Sequence, residues 1–313
     1  MDVKNLKILE SLDINPRASF NQIGKSARIS KEVAQYRFKQ MINEDILTGF
    51  YAIIDISKLG YQTYKILVKY KSVTSQVQKN IIEHIKKNKI VAWTGLCEGT
   101  WDLIITVCSP NSREFTDFFN TFFDLFGRYF IDKEILIPTD NHMINDKYLA
   151  NGKLIYNKRM SFHSEKINID DTDRKILLEL SLNSRSSFTH IGKKLKLSYW
   201  AIAQRYKKLI QQNIIIVLKP RINFRKLGYD YYHLFVESND KESKKEIVSY
   251  YVSHKHCVML MNHIGSYSMH IEFVCKKEEM HSIILDLRER FGEKIQKYEP
   301  LLIVEEYVMN LIR

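Results

Sequence analysis

Residues 2–60 of this chain are written again at residues 170–228. At a constant offset of 168, with no gap, 21 of the 59 paired positions are identical, where average composition gives about 4 by chance. Lys7-Ile8-Leu9 is answered by Lys175-Ile176-Leu177, and Asn15, Arg17, Ser19 and Phe20 by Asn183, Arg185, Ser187 and Phe188. Ile23-Gly24-Lys25 matches Ile191-Gly192-Lys193, Ser30 and Arg37 match Ser198 and Arg205, and Lys58-Leu59-Gly60-Tyr61 matches Lys226-Leu227-Gly228-Tyr229. The likeness continues more weakly, Gly99-Thr100-Trp101 against Gly265-Ser266-Tyr267 and Phe126-Gly127 against Phe291-Gly292. A repeat of this length requires the 313 residues to fold as two copies of one plan.

The front of each copy reads as three short helices. Leu6, Leu9 and Leu12 recur at helical spacing, and Asn15-Pro16 then ends the run. Ser19 is placed to cap a second helix over Phe20–Ala27 and Ser30 a third, with Val33, Phe38, Met41 and Ile42 expected inward and Lys31, Gln35, Lys39 and Gln40 outward. The second copy repeats this over Ile176–Leu182, Phe188–Leu195 and Tyr199–Gln212. Two helices joined by a tight turn after a first helix make a helix-turn-helix, whose last helix enters the DNA major groove. The extended runs Ile46–Ile56 and Ile214–Ile222 are expected to supply a wing.

The back of each copy alternates strand, helix, strand, strand, helix, strand. Thr63–Tyr70, Ile90–Cys97, Leu103–Cys108 and Phe130–Ile137 read as strands, with Val77, Ile81 and Ile85 on one helix face. Six phenylalanines from Phe115 to Phe126 stripe the next helix as core or interface. The second copy offers Tyr231–Glu237, Val258–Ile264, Met269–Val274 and a last strand near Leu301–Val308. The expected class is α+β: a duplicated unit of winged helix-turn-helix plus ferredoxin-like βαββαβ domain. The boundaries are heads at 1–60 and 169–228, back domains at 61–140 and 229–313, and a polar linker at 141–168 with room for a short ordered piece at Met143–Leu149.

Charge separates the copies. The chain carries a net +12, of which residues 166–228 hold +10, with fourteen lysines and arginines against four acids. Residues 1–60 hold +2. Lys193, Lys194, Lys196, Arg205, Lys207, Lys208, Lys219, Arg221, Arg225 and Lys226 are therefore read as a phosphate-contacting footprint. Four dispersed cysteines without a CxxC pair read as reduced thiols, and no membrane span or signal peptide is legible, so the expected location is cytoplasmic.

The NxRxS, IG, S(x6)R and LG spacings, set ahead of a βαββαβ pattern, resemble the Lrp/AsnC family of prokaryotic transcriptional regulators, in a tandem form whose back modules are RAM-type domains. The resemblance implies double-stranded DNA as partner, a small amino-acid-like effector, and pairing of the two copies as an intramolecular pseudo-dimer open to further homo-oligomerisation. It implies DNA contacts from Ser30, Lys31, Gln35, Arg37 and Lys39, and from Ser198, Tyr199, Gln204, Arg205, Lys207 and Lys208. Trp200 is placed either in packing or on the DNA side. An effector would lie at the turn bearing Thr94, Gly95, Glu98, Gly99, Trp101 and Asp102, where glycine admits a ligand near the backbone and an acid holds an ammonium group. In the second copy Ser268 replaces Asp102, so one effector site or none is expected. No catalytic residue, cofactor or metal is assigned. Two alternatives stay open: an architectural protein binding DNA by charge alone, and a siroheme decarboxylase-like enzyme of the same architecture. His254, His256, His263 and His270 are the second back domain's candidates for the latter, against His84 in the first.

Overall fold

The structure, a computed structural model, describes residues 1–149 and 152–308. The first copy runs α1 (Val3–Ile14), α2 (Phe20–Ala27), α3 (Lys31–Asn43), β1 (Leu47–Ile54), β2 (Gln62–Tyr70), α4 (Ser75–Lys87), β3 (Val91–Glu98), β4 (Leu103–Ser109), α5 (Ser112–Phe126) and β5 (Phe130–Ile144). A short β6 (Asn157–Ser161) precedes the second copy. That copy runs α6 (Asp171–Leu182), α7 (Phe188–Leu195), α8 (Tyr199–Gln211), β7 (Ile215–Ile222), β8 (Asp230–Ser238), α9 (Lys241–Ser253), β9 (Cys257–Ile264), β10 (Met269–Cys275), α10 (Lys277–Phe291) and β11 (Ile295–Val308).

The repeated residues explain the repeated heads. Ser19 and Gln22 close a capping box on α2, and Ser30 accepts from the Val33 amide to start α3. Ser187 and Ser198 do the same work for α7 and α8. The helix-turn-helix bend passes through left-handed Arg28 and Lys196, both at φ 55°. The turn then presses on α2 and α7 so closely that a Cβ on Gly24 would sit 2.8 Å from the Ile29 carbonyl, and one on Gly192 2.6 Å from that of Leu197. This is why both copies keep Ile-Gly. In α3 the buried row is Ala34, Phe38 and Met41, whereas Val33 and Ile42, expected inward, are exposed. They flank the i, i+4, i+7 row that faces α1 and α2.

The expected wings are single strands, and they pair with each other. β1 and β7 form an antiparallel ladder, Ala52 opposite Leu218. Ala52 packs in the second head's core with Ile176 and Ile202, and Ile222 packs against the first head's. Among the described residues each strand finds its ladder partner in the other copy.

Each back domain is a four-stranded ferredoxin-like sheet, β5-β2-β4-β3 and β11-β8-β10-β9. Both last strands are long enough to serve both sheets. β5 pairs first with β2 and then with β9, while β11 pairs first with β8 and then with β3. The two sheets therefore close into one eight-stranded antiparallel barrel, and β6 adds to the far end of β5. Part of the stretch expected as linker, residues 141–144 and 157–161, is thus paired strand. Its polar sequence shows no period because backbone ladders, β5 to β9 and β6 to β5, hold it.

Strand alternation sorts the two faces. Outward residues such as Ile66, Val68 and Ile105 pack under α4 and α5 with Phe115, Phe118 and Phe122, and Leu234, Ile271 and Phe273 pack under α9 and α10. Inward residues Leu67, Ile104, Leu136, Phe235 and Leu301 fill the barrel. Eight strands leave an interior just wide enough for side chains or one small ligand.

Candidate functional site

Two regions carry candidate functional side chains: the outer faces of the heads and a cavity at the barrel's head-facing end. On the first head Ser30, Lys31 and Lys39 are exposed and Gln35 is half-buried. On the second, Ser198, Gln204, Lys207 and Lys208 are exposed. Tyr36 and Trp200 stand out at 67% and 74% exposure, and Tyr199 packs edge-on against Trp200. Trp200 is therefore on the outward side. Lys31, Lys39, Lys207 and Lys208 enter no ion pair among the described residues. Arg37 and Arg205, by contrast, are held within their heads: Arg37 bridges Asp2 at 2.5 Å and Asn5 at 2.9 Å, and Arg205 bridges Asp170 at 2.7 Å and Asp173 at 2.8 Å. These bonds tie the third helix of each head to the start of its first.

Two arginines from the repeated NxRxS clasp the heads together. Arg17 donates to the Ser184 carbonyl at 2.6 Å and lies 4.3 Å over Phe188, while Arg185 donates to the Pro16 and Ala18 carbonyls. Burial lowers the pKa of both. With Lys31 they line a hollow between the heads.

Lys219, read from sequence as part of the phosphate footprint, is buried instead. Its Nζ lies 2.6 Å from Asp146 and 3.3 Å from Asp13 and donates to the Ile144 carbonyl. Asp13 is pushed up to about 7, chiefly by burial and then by Asp146, with Lys219 opposing. The group joins α1, the segment after β5, and β7. Lys194 pairs with Glu179, and Arg225 donates to the Ile303 carbonyl, so these two are also engaged within the protein.

The turn expected to hold an effector is filled by the protein itself. Thr94 is buried and donates to the Ile104 carbonyl at 2.7 Å. A Cβ on Gly95 would meet the Trp93 ring, and one on Gly99 would sit 2.9 Å from the Pro300 carbonyl. The close approach these glycines allow is to Trp93 and β11. Trp101 is 4% exposed in the barrel interior and donates to Tyr267. Asp102 accepts from the Tyr70 amide at 2.7 Å and pairs with Lys69, while Glu98 is exposed.

The cavity lies elsewhere. About 360 Å³ of space is walled on one side by the β1–β7 ribbon (Tyr51, Arg221) and on the other by barrel strands bearing Lys65, Trp93, His233 and Glu272. Lys65 is 3% exposed and burial pushes it down to about 8. His233, His263 and His270 are all held well below the usual histidine range, by burial first. His263 and His270 form one hydrogen-bonded chain with Lys65 and Glu272, beside which His233 Nε2 lies 3.5 Å from Glu272 Oε1. His270 Nδ1 is 3.2 Å from His263 Nε2, and His270 Nε2 is 2.9 Å from Glu272 Oε1 and 3.4 Å from Lys65 Nζ. Tyr231 donates to Glu272 Oε2. Among the described residues neither ring nitrogen of His233 has a hydrogen-bond partner, although the residue is 1% exposed and its ring stacks on Trp93. Of the histidines named from sequence, His263 and His270 join this cluster; His254 and His256 lie outside the barrel near α9 and Glu279, and His84 packs against Phe122 and Phe126. Sequence reading missed His233, Lys65 and Glu272. The available signal was a charged or imidazole side chain inside an otherwise apolar strand.

Residues 169–210 match the model of the AsnC-type helix-turn-helix domain. A protein of Pyrococcus furiosus named as an uncharacterized HTH-type transcriptional regulator is 30% identical over 140 residues, covering 44% of this chain and 95% of that protein. The chain belongs to the Lrp/AsnC family. A similarly named Pyrococcus horikoshii protein is 28% identical over 134 residues, covering 42% of this chain and 82% of its own length. Such relatives span about one copy, consistent with a family unit written twice. Among solved structures, the siroheme decarboxylase NirDL superimposes over 99% of this chain and 94% of its own with a TM-score of 0.67 at 14% identity, a likeness of fold.

Proposed function

We propose that this protein is a sequence-specific DNA-binding transcriptional regulator in which one chain supplies both heads that a family dimer would draw from two. The observation that carries the reading is the union of the heads by the β1–β7 ladder and the Arg17–Arg185 clasp, which leaves the outer faces of α3 and α8 bearing unpaired lysines. A fixed pair of major-groove helices reads two half-sites at a set spacing. In this reading Gln35 on α3 and Gln204 on α8 are the candidates for bidentate contact to adenine, and Lys207 and Lys208 for phosphate contacts. Selection from random duplexes followed by footprinting should return a two-part site of constant spacing. Affinity that ignores sequence and vanishes with salt would favour the architectural alternative.

We place effector sensing in the cavity between ribbon and barrel and not at the filled turn. A ligand there would touch β7 and the barrel together, and so change how the heads sit on their support. Its volume is near the small end of the roughly 300–1,000 Å³ range of ligand pockets, which suits an amino-acid-sized molecule.

The enzyme reading is favoured by the histidine cluster and the whole-chain likeness of fold. In our reading Lys65 and the histidines bind and position, and none is a catalytic residue. Titration with siroheme separates the two: a stoichiometric complex with a shifted Soret band would displace the regulator assignment.

A further inference from the structure

We propose that His233, His270 and Glu272 form a binding site for a divalent ion of the zinc class, set in the barrel wall and open toward the cavity. It stands whether or not the heads bind DNA. The donor atoms of the three side chains lie within 4.8 Å of one another. Glu272 Oε1 is 2.9 Å from His270 Nε2 and 3.5 Å from His233 Nε2. A tetrahedral ion with bonds of about 2.0–2.1 Å spaces its ligands about 3.3 Å apart, so the two measured edges bracket the required one.

Three features of the apoprotein chemistry point the same way. First, His233 is buried with both nitrogens unpartnered among the described residues, and leaving a buried polar atom unpaired is unfavourable. An ion would satisfy one of those nitrogens. Second, His270 Nε2 sits between the Glu272 carboxylate and the Lys65 ammonium. An imidazole nitrogen is either a donor or an acceptor, so it cannot serve an acceptor-only and a donor-only neighbour at once. A metal ion accepts lone pairs from both nitrogen and carboxylate and removes the conflict. Third, the outer partners are in place. His263 engages His270 Nδ1, and Tyr231 occupies Glu272 Oε2, which leaves Nε2 and Oε1 for the ion.

Lys65 is the competing cation. Its hydrogen-bond partner among the described residues is His270, and its flexible stem lets the ammonium withdraw toward the cavity when a divalent ion enters. Three protein ligands beside a solvent-sized space is the arrangement of sites that keep a coordination position for water or an exogenous anion.

The full chain, stripped with a chelator, is titrated with Co²⁺ while its visible bands are recorded, and then with Zn²⁺ by calorimetry. One ion per chain is expected, with the intense bands of four- or five-coordinate cobalt. His233→Ala and Glu272→Gln should each weaken binding on the order of 1,000-fold, beyond the ~10–100-fold typical of outer partners. Lys65→Met should tighten it about tenfold. That opposite sign cannot come from damage to the fold, and circular dichroism verifies that each variant is folded. Absence of cobalt bands in folded protein, or binding unchanged by His233→Ala and by Lys65→Met, would overturn the proposal.

Discussion

Replacing Lys219 with methionine is the most demanding test of how heads and barrel are joined. Lys219 is 5% exposed, and its ammonium lies 2.6 Å from Asp146 and 3.3 Å from Asp13. At an effective dielectric of about 20 these contacts are worth about 6 and about 5 kcal/mol of Coulomb attraction, most of it offset by desolvation of the three ions. Methionine keeps the stem's packing but leaves two buried carboxylates facing each other, for which removal of one partner costs about 3–5 kcal/mol. Urea unfolding should show that loss. Adding Asp13→Asn and Asp146→Asn should return at least half of it, because the uncompensated charges are gone. The pH dependence has a definite sign. Asp13 is held near 7 in the fold and ordinarily titrates near 3.8, so the fold binds a proton that the unfolded chain releases. Its contribution is most favourable at low pH and fades as pH rises through 7. The defect of the variant relative to the parent should therefore shrink between pH 8 and pH 5.5. A loss under about 1 kcal/mol, or a defect indifferent to pH, would refute the buried triad as the joint.

Further outcomes follow from the same geometry. Lys207→Ala with Lys208→Ala should flatten the slope of log affinity against log salt by about 1.8, at roughly 0.9 per phosphate contact; Arg205→Ala should leave the slope nearly unchanged and instead lower stability by about 1.5–3 kcal/mol, because it is spent on Asp170 and Asp173. Phe122→Ala, at 0% exposure in the helix-side core, should cost about 3–5 kcal/mol by thermal or urea unfolding, and a loss below 1 kcal/mol would mean the phenylalanine stripe is not core. In chelator, His233, His263 and His270 are buried neutral, while in the unfolded chain they protonate near 6.5. Stability should fall on acidification below about pH 6.5, despite the opposing Asp13, and a flat profile from pH 7 to 5.5 would count against their burial.

Much of this molecule is local and was therefore legible. The cap serines, the Ile-Gly approach of helix to turn, the βαββαβ order and the phenylalanine stripe each depend on residues a few positions apart, where helical or strand period and backbone sterics act directly. The duplication and the placement of excess charge needed only counting. Barrel closure was not legible, because it arises when the second halves of β5 and β11 find strands of the other copy, a pairing of backbones that leaves no period in the side chains. The same closure decided the sites. It brought Lys65 of the first copy against His233, His270 and Glu272, which the β8–β10 ladder of the second copy already sets side by side. It also packed the glycine turn against β11. Lys219 shows the limit most simply: its sequence neighbours mark it as a surface cation, and only the arrival of Asp13 and Asp146 from two distant segments makes burial tolerable. Sequence set what each copy would be; the contact between copies set where a ligand could go, since that space lies between a ribbon made of one strand from each copy and a barrel wall to which both copies contribute.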